Sequence, residues 1–364
     1  MSRPLRNAQI EIFRFVFALG IVLFHCANVA QAQGKVNWFL PFSARGYLAV
    51  EFFFIVSGCL LAQKAFRTAS GEYGDLASAS FLYVWRKFIR IFPHALASIV
   101  VCLAIKVFFG EVSVGKAIGS FLLGIGELLG LQITGLSVGS NVLSLWFVSA
   151  LLVVSYLLYP LVLAKGRTFS CIVAPLVSIF IYGWFCRERV GIGGNATYWN
   201  GFCYMTALRA IAAMCLGVSC HEVAEYVRAH AFARSRKLVL TIVALGSMSV
   251  GLWLVLFGCA GRTTAYVPFL FATGVALMFG LDIPPRIGFW AGSCRYLGGL
   301  SLTIYMYHPC FLGLFRRLCP PVDTRSYWMF ATAVFVSTFV FACLLERMSA
   351  WRRKAQMGAM VHAE

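Results

Sequence analysis

The sequence predicts an all-α fold, a polytopic integral-membrane bundle of about ten transmembrane helices. Three observations carry this. Hydrophobic residues make up 60% of the 364, and 33 glycines lift the apolar total to about 69%, against roughly 45–50% in soluble domains. Charged residues are only 12%, about half the usual share and too few to cover a soluble globule. Apolar runs long enough to cross roughly 30 Å of hydrocarbon recur along the chain. A disordered, collagenous or small disulfide-scaffold protein is excluded by the same composition.

The spans follow in order. Residues 10–32 hold Glu11, Arg14 and His25, with no small-residue cleavage site after a short core. This reads as a retained helix and not as a signal peptide. Residues 46–62 carry Glu51. Residues 94–110 follow the basic stretch from Arg86 to Arg90. Residues 142–164 and 169–186 flank Lys165 and Arg167. Residues 205–221 contain Arg209. Residues 238–258, 264–281, 297–315 and 327–345 complete the ten, with His308 in the ninth. An eleventh run, 117–131, is short and holds four glycines and Glu127. The chain reads as one membrane domain over 1–364, with a short tail after 347.

Net charge is +18. In a soluble protein that would raise nucleic acid as a partner. Here the basic residues crowd alternate loops, where they set orientation and meet anionic lipid. With ten spans and both termini cytoplasmic, the inner segments carry Arg3 and Arg6; Lys64, Arg67, Arg86, Lys87 and Arg90; Lys165 and Arg167; Arg228 to Lys237; Arg286 and Arg295; and Arg347 to Lys354. The outer segments hold scattered charges such as Lys35, Arg45, Lys116, Arg187 and Arg262. A crossing by 117–131 would turn the Arg228–Lys237 cluster outward, so that segment is expected to be re-entrant or interfacial.

Thirteen cysteines occur without any CxxC pair, so no zinc or redox motif is signalled, and they read as small hydrophobes. No HExxH, no Ser nucleophile elbow and no phosphate-cradling glycine loop occurs; Gly191-Ile-Gly193-Gly194 reads as a plain loop. No metal site is expected.

Ionisable side chains inside spans are costly and mark function by default. Arg14 and His25 are 11 residues apart, which is three turns plus about 20°, so they share one face roughly 16 Å apart along the axis. Counted from the span ends, His25, Glu51 and His308 fall at similar depth. A carboxylate orienting an imidazole is one arrangement this allows. Depth alone does not fix which helices are neighbours.

These residues also carry a resemblance. Arg14-x10-His25, then Gly46-Tyr-Leu-Ala-Val-Glu51-Phe-Phe-Phe-Ile-Val-Ser57-Gly58, resembles the opening of the membrane-bound acyltransferase family 3. Arg86-Lys-Phe-Ile-Arg90-Ile-Phe-Pro93, Ser144-Leu-Trp146-Phe-Val-Ser149 and Ser301-Leu-Thr-Ile-Tyr305-Met-Tyr307-His308 resemble its later motifs, in the right order. Cys59 departs from the aromatic more usual after Ser57-Gly58. The chain ends after the tenth span, unlike members with an appended esterase-like domain. The resemblance implies an O-acyltransferase in a bacterial-type inner membrane that modifies surface polysaccharide. It would move an acyl group, most simply acetyl, from cytoplasmic acyl-CoA to a carbohydrate or glycolipid hydroxyl, with acyl-CoA as co-substrate and no tightly bound cofactor. It makes His25 the catalytic base or acyl carrier and Arg14 its partner in the motif, with Glu51 the carboxylate expected to orient the imidazole. Arg14, Arg86 and Arg90 would hold the donor's phosphates, and Trp146, Arg209, Tyr305 and His308 would meet the acceptor. The rival reading is a transporter or flippase, but no pair of matching broken helices marks two inverted halves.

Overall fold

A computed structural model describes residues 7–32, 45–71, 74–137, 140–142, 144–188, 192, 199, 201, 203–258, 261–281 and 288–361. Arg3, Arg6, Lys35, Arg286 and most of the 191–194 loop, all named above, lie outside them. The elements run α1 (Ala8–Ala32), α2 (Ala49–Ala69), α3 (Leu76–Phe108), α4 (Val114–Leu123), α5 (Ile125–Leu128), α6 (Leu145–Thr168), α7 (Ala174–Arg187), α8 (Met205–Ala229), α9 (Arg234–Phe257), α10 (Val267–Leu281), α11 (Gly288–Leu318) and α12 (Thr324–Val361). Among the described residues there is no strand, only an isolated bridge between Trp199 and Tyr204.

Local chemistry sets several starts. The Asn7 Oδ1 accepts from the backbone N–H of Gln9 and Ile10 at 3.0 and 3.2 Å, while its Nδ2 donates to the Met278 carbonyl at 2.7 Å. One side chain thus caps α1 and ties it to the end of α10. Asp75 caps α3 by accepting from Ala77 and Ser78 at 2.7 and 2.9 Å. The accepted hydrogen bonds hold its carboxyl below the usual range.

Among the described residues, eight helical stretches are long and apolar enough to cross a membrane, not ten. Two physical features account for the difference. The stretch Leu145–Arg187 is continuous as helix, but Gly166 breaks it at φ 48° and ψ −127°, a left-handed conformation that only glycine adopts without strain. Its two arms run in opposite senses. Phe147 packs on Phe54, and the Tyr159 hydroxyl bonds Thr68, so α6 runs parallel to α2. Ser219 donates to the Ser170 carbonyl, and Ser178 donates to that of Ala212, so α7 runs antiparallel to α8. Glu51 meets Arg209, and Gly58 lies against Met214, so α8 runs with α2. The chain therefore doubles back at Gly166. The second feature is α11, whose 31 residues include Tyr305, Tyr307, His308 and Pro309. These residues lower its mean hydropathy and keep it out of the apolar set, although the helix runs on through Pro309.

Segment 117–131 falls on the ten-residue α4, which begins at Val114, and the four-residue α5. Ten residues span about 15 Å, half the hydrocarbon thickness. The segment folds onto the start of α6. The buried Glu127 carboxylate accepts from the backbone N–H of Asn141 and Val142 at 2.7 and 2.9 Å. The Ser149 hydroxyl donates to the Gly130 carbonyl at 2.6 Å and accepts from the Ile133 N–H at 3.1 Å.

Glycine sets the tightest helix contact. A Cβ on Gly58 would collide with the Met214 backbone, and one on Gly217 with that of Ile55. The backbones of α2 and α8 touch only because both side chains are absent. Two apolar clusters fill the remainder. The larger joins α2, α6, α8 and α10, and the second packs α1 against α11 and α12 through Val22, Cys26, Ile304, Phe330 and Val334.

Candidate active site

A cavity of about 650 Å³ opens where α1, α2, α3, α6, α8 and α11 converge, within the range of small-molecule sites. Five cations line it: Arg14, Arg67, Lys87, Arg90 and Arg228, against one carboxylate, Glu11. Arg67 and Arg90 are exposed at the mouth, and Arg14 and Lys87 sit deeper, half-buried. Arg14 donates to both oxygens of the buried Glu11 at 3.1 Å. The Lys87 ammonium donates to Ser155 Oγ at 3.1 Å and lies 4.9 Å from the centre of the Tyr83 ring.

Helical periodicity selects the α3 residues. Tyr83, Lys87, Arg90 and Ile91 line the cavity, a stripe at i, i+4, i+7 and i+8. Arg86, expected to hold the donor, is one residue and about 100° away from Lys87. It is exposed and does not line the cavity, whereas Lys87 does. The i, i+3 spacing of Lys87 and Arg90 was the signal for this pair. Arg67 and Arg228 left no such signal, because only packing brings the ends of α2 and α8 together.

The inner wall is apolar and aromatic, with Val50, Phe53, Phe147, Leu151 and Tyr305. Tyr305 connects the cavity to the histidines. Its hydroxyl donates to the Ser144 carbonyl at 2.9 Å, its ring lies 5.3 Å from that of Phe147, and the His308 ring is 5.8 Å away on the other side. His308 is fully buried. The half-buried His25 faces it across the α1–α11 seam, with ring centroids 5.1 Å apart and planes tilted by 32°.

Glu51 does not orient an imidazole. It is buried at 0% exposure, with one carboxylate oxygen ion-paired to Arg209 and the other accepting from the Tyr182 hydroxyl at 2.7 Å. Arg209 also donates to the Tyr47 carbonyl at 2.6 Å and lies over the rings of Tyr47 and Trp146 at 5.7 and 5.6 Å. A carboxylate taken out of water requires a cation and hydrogen bonds around it, and this cluster supplies them. Arg209 and Trp146, expected to meet the acceptor, are engaged with Glu51 and with each other, and neither lines the cavity. Of the sequence candidates, Arg14, Arg90 and Tyr305 share the cavity, His25 and His308 meet behind it, and Glu51, Arg209 and Trp146 form a separate buried cluster.

Among the described residues no group of His, Cys, Asp and Glu is placed to hold a metal ion. The profile of an acyltransferase domain matches residues 7–347, nearly the whole chain. Comparison with curated proteins and with solved structures gives no match. The matched stretch takes in every motif from Arg14 to His308, and the helices that carry those motifs all line the basic cavity. The chain is therefore an integral-membrane acyltransferase and belongs to the acyltransferase family 3.

Proposed function

We propose that this enzyme moves a short acyl group, acetyl in the simplest case, from cytoplasmic acyl-CoA to a hydroxyl of an extracytoplasmic glycan or glycolipid, at a bacterial-type inner membrane with both termini inside. The observation that carries the donor is the basic cavity. Five cations against one carboxylate suit a ligand with several phosphates, which guanidinium groups bind bidentately. The apolar inner wall suits the thin pantetheine arm and a short acyl chain.

The direction of α1 supports the division between two compartments. Arg14 faces the cavity, and His25 lies three turns further along the same helix. A donor held at Arg14 reaches inward toward the histidine, and an acceptor arrives from the opposite end. In the reading we favour, neutral His25 takes the proton of the acceptor hydroxyl as that oxygen bonds the acyl carbon. The carbon–sulfur bond then breaks, and the leaving thiolate takes the proton back from His25. The products are the ester and free CoA, and the histidine is neutral again.

The test uses the full chain in lipid nanodiscs. Calorimetry with CoA reads donor binding, and radiolabelled acetyl-CoA with surface glycan reads transfer. Binding together with acceptor-dependent release of CoA is expected. No CoA binding would overturn the donor. Binding and hydrolysis with no labelled glycan would overturn the acceptor class.

A further inference from the structure

His308 is held by a local accident of sequence. In an α-helix the carbonyl of residue 305 accepts from the N–H of residue 309. Residue 309 is proline, which has no N–H. The Tyr305 carbonyl is thus left without its helical donor in a buried place, a costly omission. The His308 Nδ1 lies 2.8 Å from that carbonyl. A carbonyl only accepts, so Nδ1 must carry the proton. In neutral imidazole the other nitrogen is then a bare acceptor.

That second nitrogen, Nε2, is buried and has no hydrogen-bond partner among the described residues, while the side chain is 0% exposed. An unpartnered buried acceptor is uncommon and calls for an explanation. The polar ring facing it is His25, at 5.1 Å between centroids. The carboxylate expected to orient the imidazole, Glu51, has both oxygens engaged elsewhere.

The geometry points to His308 as the positioning residue of His25. Rotation of the half-buried His25 ring brings its N–H to His308 Nε2, which accepts it. His25 is thereby fixed in one tautomer with its other nitrogen bare and turned to the acceptor hydroxyl. When His25 takes the hydroxyl proton, the same contact stabilises the imidazolium. A neutral imidazole, locked by a proline-freed carbonyl, does the work that a carboxylate does in other histidine bases. The role rests on the proposed acyl transfer, but the contact is testable without it.

Two substitutions separate contact from packing. His308→Asn keeps a donor for the Tyr305 carbonyl near the Nδ1 position and removes the acceptor at Nε2. His308→Gln puts an amide oxygen near the Nε2 position. For acyl transfer, the Asn variant is expected to lose on the order of 10²-fold in kcat, with KM for acyl-CoA within about twofold of the parent. The Gln variant is expected to recover most of the rate. A second arm uses no donor. Carbethoxylation of His25 by diethyl pyrocarbonate, read by peptide mass spectrometry, should slow several-fold in the Asn variant and return in the Gln variant, because an acceptor on one nitrogen makes the other more nucleophilic. Equal labelling of His25 in all three proteins overturns the pairing, whatever the transfer assay shows. Normal labelling differences with no transfer by the parent protein overturn the acyl-CoA reading and leave the pairing standing.

Discussion

Arg209 on α8 closes an ion pair with Glu51 on α2 in the interior of the bundle, with side-chain exposures of 5% and 0%. The Tyr182 hydroxyl completes the carboxylate from α7. Three helices are therefore joined at one buried charge. Removing one partner of such a pair strands the other and costs roughly 3–5 kcal/mol. Glu51→Ala and Arg209→Ala should each fall sharply in thermal midpoint in detergent, and Tyr182→Phe by less, about 1.5–3 kcal/mol for a hydrogen bond to a charged group. The pair Glu51→Gln with Arg209→Met should recover part of the loss. An unchanged midpoint in Glu51→Ala would show that the cluster does not hold the helices.

The α2–α8 contact gives a second stability test. Gly58→Ala and Gly217→Ala each place a methyl against the facing backbone, which cannot move as a side-chain end can. Overpacking of this kind costs about 1–3 kcal/mol. Gly119→Ala is the control, since nothing lies within 4 Å of a Cβ there. Equal midpoints for all three variants would remove the close contact from the account.

The basic cavity predicts a pattern across α3 and α1. Arg14→Ala, Lys87→Ala and Arg90→Ala should weaken CoA binding by about 1.5–3 kcal/mol, some 10- to 150-fold. Arg86→Ala, on the exposed face next to Lys87, should bind nearly as the parent does. Calorimetry of the four variants checks this. A loss at Arg86 equal to that at Lys87 would place the donor on the other face of α3.

His25→Ala should abolish acyl transfer while leaving CoA affinity near the parent value, because the cavity cations are untouched. A positioned base contributes about 10²–10⁴-fold in rate. Radiolabelled transfer at matched protein amounts is the measurement. Near-normal transfer by this variant would move the chemistry away from the histidine pair.

Orientation is checked by reporter fusions. A fusion near Arg234 should report the cytoplasm, and one near Glu111 the opposite side. Glu111 bonds Arg317 at 2.8 Å, so the ends of α3 and α11 lie together there. The same compartment at both positions would refute the proposed topology.

Much of this architecture was legible in the chain. Span length and composition fix a helical membrane bundle, because an apolar helix in lipid satisfies its own backbone whatever surrounds it. The 11-residue spacing places Arg14 and His25 on one helix face without reference to any other helix. The Tyr305 to Pro309 interval frees one carbonyl by covalent structure alone. The separation of residues 145–187 into two arms was marked by Lys165 and Arg167, although the helical trace runs on through them.

Depth along an axis is estimated by counting residues, and counting put His25, Glu51 and His308 at a similar level; the structure keeps His25 level with His308, but packs Phe52, next to Glu51, on Phe17, about two turns from His25. Azimuth and neighbourhood do not follow from counting. They depend on which helix surfaces pack, and that is a sum of many contacts between residues distant in the chain. Only the tertiary structure gave Glu51 to Arg209 and left His25 facing His308. It also turned Lys87, not Arg86, toward the cavity and brought Arg67 and Arg228 to the same mouth. The physical reason is that hydrophobicity acts residue by residue and is readable locally, whereas pairing a buried charge or choosing a helix face requires the partner helix to be present.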